Sequence, residues 1–178
     1  IEVALVYSRQ TGQAWFDAVE VVALEQPANN LVTNPSFEHC TPGEVPPGWE
    51  GENLTAEDGW VADEAFDGER SFHMVGDLAA DKVLRQRIAY AGGAGTALRV
   101  RVMSRTENTD WRAGPYMVVV RLLGAEGVVE EHPLRLPDLA YHWATAGSTE
   151  VLSKWLQDRK AIVQELVAAG AARLASGD

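Results

Sequence analysis

Leu98-Arg99-Val100-Arg101-Val102 alternates apolar and basic side chains without a break. Side chains two apart share one face of a strand, so this stretch reads as a half-buried strand with its arginines turned from the core. The same pattern sets Leu84, Gln86 and Ile88 against Arg85 and Arg87, and Val118, Val120 and Leu122 against Arg121. Working outward, short β-rich runs fall at about 59–65, 70–76, 83–90, 97–105, 115–123, 127–136 and 142–149, punctuated by Gly, Asp and Asn. That spacing is the spacing of a β-sandwich. No helical period of useful length precedes residue 148, so the class is mainly β.

The two ends differ from this middle. Ile1, Val3, Leu5 and Tyr7 alternate with smaller or polar neighbours, and a second run, Ala14 to Val22, follows the turn-forming stretch Ser8–Gln13. Residues 1–24 are therefore expected to be a β-hairpin. A lone hairpin is marginal in water, so it should complete a larger sheet, in this sandwich or in a preceding one. Residues 25–30, Glu-Gln-Pro-Ala-Asn-Asn, are a polar linker. From Val151 to Leu174 the apolar positions fit one helical face, with Ser148 or Thr149 able to cap its start. The expected organisation is thus a hairpin (1–24), a linker (25–30), a sandwich (31–149) and a C-terminal amphipathic helix (150–178). The helix either packs on its own or a neighbouring domain or opens the next one.

At 178 residues the chain is long enough to bury a core without disulfide staples, and Cys40, its sole cysteine, has no internal partner. Lys+Arg 15 against Asp+Glu 26 leaves a net charge of −11. That balance argues against a nucleic-acid grip, which needs basic surface, and disfavours anionic membrane. No apolar run approaches the roughly 18 residues of a membrane span. A start at Ile1 is expected of a processed or excised piece of a larger protein, whose other domains would be its partners.

Asn30-Leu-Val-Thr-Asn-Pro-Ser-Phe-Glu38, a Pro/Gly-rich loop and then Gly48-Trp49 resemble the opening of carbohydrate-binding modules of the family four and family nine type. Phe66-Asp-Gly-Glu-Arg-Ser-Phe-His73 resembles their next signature, a Gly-x-x-Ser step into a strand. The stretches 90–105 and 142–149 resemble later strands. The resemblance covers about 120 residues; it is fairly specific for fold and poor for ligand. It implies a jelly-roll β-sandwich that binds polysaccharide without catalysis, within a larger secreted or cell-surface protein. The alternative it leaves is a structural or adhesion spacer in a large enzyme or phage tail protein. The family's closing pattern, Gly-x-x-aromatic-aromatic-Asp-x-Val, is missing after residue 149 and stands instead at Gly12–Val19. Either the hairpin completes this sandwich, as a permuted domain or by exchange between chains, or it ends a preceding one. The resemblance also implies a structural Ca²⁺, held by Glu38, the Asp67–Gly68 region and Asp17. Hard oxygen donors suit that ion. The alternative is that these carboxylates simply accept from backbone amides.

Sugar rings stack on exposed aromatic planes. Trp60 and Trp111 lie in polar, loop-like contexts, and with Tyr116 they are the candidate platforms. Trp49 and Trp143 fall at core positions of the family, and Trp15 is ambiguous. Outward arginines such as Arg101 would clamp an acidic sugar in bidentate fashion; alternatively they pair with acids across strands. His39, His73, His132 and His142 lack zinc spacing. Ala91–Gly95 lacks the Lys-Ser/Thr of a phosphate loop. No nucleophile motif or defined carboxyl pair points to catalysis.

Overall fold

Alternation on this scale demands two layers, because each strand has one apolar face to bury. The computed structural model describes residues 1–62, 64–90, 97–110 and 113–136. Among them are nine strands: β1 (Glu2–Ser8), β2 (Gln13–Ala23), β3 (Glu50–Glu52), β4 (Gly59–Val61), β5 (Ser71–Val75), β6 (Asp81–Arg87), β7 (Leu98–Glu107), β8 (Tyr116–Gly124) and β9 (Gly127–Arg135). They form two antiparallel sheets, one ordered β3-β6-β1-β8-β9 and the other β4-β5-β2-β7. Val3, Leu5, Tyr7, Leu84, Val118 and Val120 from the first sheet share one core with Ala14, Phe16, Val21, Phe72 and Met74 from the second.

Residues 1–24 are not a hairpin. β1 pairs with β6 and β8, and β2 pairs with β5 and β7, so the two runs lie at the centre of different sheets. Each carries an apolar face, and burying those faces against one another removes more surface from water than pairing edge to edge. The connection between them crosses the sandwich at Gly12, whose φ of 72° and contact with the Glu107 carbonyl leave no room for a Cβ.

Residues 31–48 contain no strand among the described residues. Asn30 holds that segment against β2, its side chain accepting from Val21 N at 3.0 Å and donating to Val19 O at 2.9 Å. Phe37 turns into the core between Trp49 and Phe72, with ring centroids 5.4 and 5.6 Å away. Reaching that position takes a left-handed backbone, φ 56°, which few bulky residues adopt. Asn34 steadies the bend by accepting from His39 N and donating to His39 O, at 3.0 and 2.9 Å.

The arginines face outward as their alternation requires, and most meet acids. On the first sheet an alternating ladder crosses every strand. Glu50 and Glu52 bind Arg85, Arg87 and Arg121 bind Glu2, and Arg121 also binds Glu131. Burial alone would raise the Glu2 carboxyl, but hydrogen bonds from Arg121 and Arg87 hold it below its ordinary value. On the second sheet Arg99 pairs with Glu20 at 2.8 Å. The strand expected at 142–149 and the helix expected at 150–178 lie outside the described residues.

Candidate functional site

Asp17 and Glu38 grip the same loop from two sides. Asp17 sits beside a bulge in β2, where pairing with β7 skips from Asp17 to Glu20 and Ala18 takes a φ of 45°. Its Oδ2 accepts from Phe66 N at 2.7 Å and Asp67 N at 2.9 Å, and its Oδ1 from Ala18 N at 2.6 Å. Glu38 Oε1 accepts from Glu69 N at 2.8 Å and Arg70 N at 3.0 Å. Between these pairs Gly68 runs at φ 75°, and a Cβ there would fall on Glu38 Oε1. Asp67 closes the group, accepting from Ser36 Oγ at 3.1 Å. Residues 17, 38, 67 and 68 thus meet at one junction, although up to 51 positions separate them in the chain.

The electrostatics of this junction are unbalanced. Asp17 is fully buried, and burial pushes its carboxyl up to about 6 despite the three amides. Among the described residues no basic side chain bonds to it. The donor types are those of a calcium site; both Asp17 oxygens, Glu38 Oε1 and Asp67 Oδ2 already accept from N–H or O–H groups. Among the described residues no three His, Cys, Asp or Glu are grouped as a ready-made cage. A cation here would compete with the amides of Phe66, Asp67, Glu69 and Arg70 for Asp17 Oδ2 and Glu38 Oε1.

The expected sugar platforms fare differently. Tyr116 is in the core, 6% exposed, with Tyr7 edge-on at 5.8 Å and Phe16 at 5.7 Å. It shares the inward face of β8 with Val118 and Val120, so it offers no plane to a ligand. Trp60 pairs across from Phe72 and takes the core-facing side of β4. It is half-buried, and the Arg70 guanidinium lies over its ring at 4.4 Å. Trp111 lies outside the described residues. Arg101 is exposed on β7.

Trp15 is held in a row across the outer face of the second sheet. Gly59, His73, Trp15 and Arg105 are consecutive register partners on β4, β5, β2 and β7. His73 stacks on the indole at 5.0 Å, and the Arg105 guanidinium lies over it at 4.9 Å. Arg105 is in turn paired with Glu64. Only 6% of Trp15 is exposed beneath these neighbours.

A buried ion pair, which strand alternation alone does not name, lies at the β3–β4 edge. Lys82 Nζ lies 2.7 and 2.9 Å from the Asp58 carboxylate oxygens, both side chains being almost wholly buried. The signal was present, since Lys82 shares the inward register of Leu84, Gln86 and Ile88, and a lysine on a core face needs an acid. Compared with protein-family models, curated proteins and solved structures, the chain gives no match.

Proposed function

We propose that the chain is a non-catalytic glycan-binding domain, a jelly-roll β-sandwich similar to carbohydrate-binding modules of the family four and nine type. It would hold a larger secreted or cell-surface protein on a polysaccharide, with no bond made or broken. The observation that carries this reading is the junction. Three of the stretches that carry the resemblance, Gly12–Val19, Asn30–Glu38 and Phe66–His73, are distant in sequence and bonded to one another in space. Calcium belongs to the reading: Asp17, Glu38, Asp67 and the Gly68 carbonyl would hold it. The buried, cation-free charge of Asp17 is what supports this. A glycan array read with and without chelator tests both parts. Expected are binding to at least one polysaccharide class, a melting temperature that rises with calcium, and loss of that response in Asp17→Ala. A folded chain that binds nothing on the array overturns the glycan reading. Melting that ignores calcium overturns the metal.

The burial of Tyr116 and Trp15 favours a second reading, a structural or adhesion spacer. A spacer would keep the calcium response and leave the array blank.

A further inference from the structure

The two sheets are closed unevenly. At one side their edge strands, β3 and β4, have three residues each, too short to seal the gap with side chains. Loops fill it instead and leave a cleft of about 280 Å³. Val45, Leu54, Ala56 and Phe72 contribute apolar surface, while Glu44 and Thr55 supply polar groups. The volume is near the lower end of small-ligand sites, and an apolar wall with a few polar groups is their usual character.

The walls are held in advance. The Asp58 carboxylate accepts from Thr55 N at 2.6 Å, Thr55 Oγ1 at 3.0 Å, Val75 N at 2.8 Å and the Lys82 ammonium. This ties the 55–58 loop to β5 and β6. On the other wall Gly51 lets Leu54 and Val45 close over the backbone of β3. A site whose supports are fixed loses little entropy on binding.

Charge narrows the ligand. Among the described residues no Lys, Arg or His lines the cleft, and the nearby Lys82 ammonium is spent on Asp58. Carboxylate or sulfate would therefore meet Glu44 and a chain of net charge −11 with nothing to compensate. Hydroxyl groups suit it, since Glu44 accepts from them, and the C–H face of a ring suits Val45 and Leu54, which lie above the buried Phe72.

We infer that this cleft is the sugar site, taking one uncharged pyranose ring of a glycan; the inference rests on the glycan-binding reading above. The test is a titration of the ¹⁵N-labelled full chain with neutral methyl glycosides, a methyl uronide and a methyl glycoside of an amino sugar. Expected are amide shifts confined to Gly43, Glu44, Thr55, Ala56 and Gly59 with a neutral glycoside. Ala56→Trp, a change at an exposed position that fills the cleft, should weaken binding at least tenfold without changing the melting temperature. Glu44→Gln should weaken it several-fold. Shifts elsewhere, or full affinity in Ala56→Trp, overturn the cleft while the glycan reading stands. Preference for the uronide or the amino sugar overturns the uncharged ring. A folded protein that binds no sugar on the array or in titration overturns both.

Discussion

Asp17 is a buried carboxylate to which no basic side chain bonds among the described residues, and pH should read it out. Its native carboxyl titrates near about 6, whereas an unfolded aspartate titrates near about 3.9. Between those values the native state holds the proton more tightly, so stability from this group is full below about pH 4 and lost as pH rises through about 6. Without calcium the domain is expected to gain stability from Asp17 between about pH 7 and about pH 5. Calcium requires the ionised carboxylate, so its stabilisation should weaken over the same interval. Melts of wild type and Asp17→Asn, with and without calcium, check this; an unchanged pH slope in Asp17→Asn would assign it to another group. Trp49 gives a second prediction at this scale. It is 6% exposed, its Nε1 donating to Asn34 O at 3.4 Å and its ring beside Phe37. Trp49→Ala is expected to cost about 3–5 kcal/mol in urea denaturation, the usual penalty for emptying an aromatic core position. A loss under about 1 kcal/mol would mean the site collapses around the cavity.

At the scale of elements, the loop between β3 and β4 depends on one buried charge pair. Asp58 neutralises Lys82 and also satisfies the Thr55 and Val75 amides. Removing one partner of such a pair leaves the other charged and unsolvated. Asp58→Ala is therefore expected to destabilise by about 3–5 kcal/mol. Lys82→Met should do less harm, because amides and the Thr55 hydroxyl remain to hold Asp58. Equilibrium unfolding of both variants checks the order, and the reverse order would refute this account of the loop. The outward ion pairs are of another kind. Exposed pairs contribute about 0–1 kcal/mol each. The ladder through Glu2 instead shields an outer face that also carries Ala4, Val6 and Val119.

At the scale of the whole molecule, the first 24 residues hold both sheets together. β1 separates β6 from β8, and β2 separates β5 from β7. Without them the first sheet falls into two pairs with unpaired edges, and the core loses Val3, Leu5, Tyr7, Phe16 and Val21. Deleting residues 1–24 should therefore abolish cooperative unfolding, as read by tryptophan fluorescence against urea. A truncated chain with a sharp transition would contradict this assignment.

The alternation of apolar and polar residues by itself determined the mainly β class, most strand positions and the outward arginines, because a pleated strand turns successive side chains to opposite faces. It also bore on Tyr116, which stands in step with Val118 and Val120 and so falls on the face that the core buries. Trp60 was less legible, since a three-residue strand is too short for its period to show which face is which. Alternation names a face and never a neighbour. That β1 and β2 would part into separate sheets, that Asp17 would reach amides 49 and 50 residues away, and that Lys82 would find Asp58 were decided only when the two layers closed on one core. These contacts are long-range, and their partners are chosen by how much surface the closed sandwich removes from water, a quantity no local stretch of the chain contains.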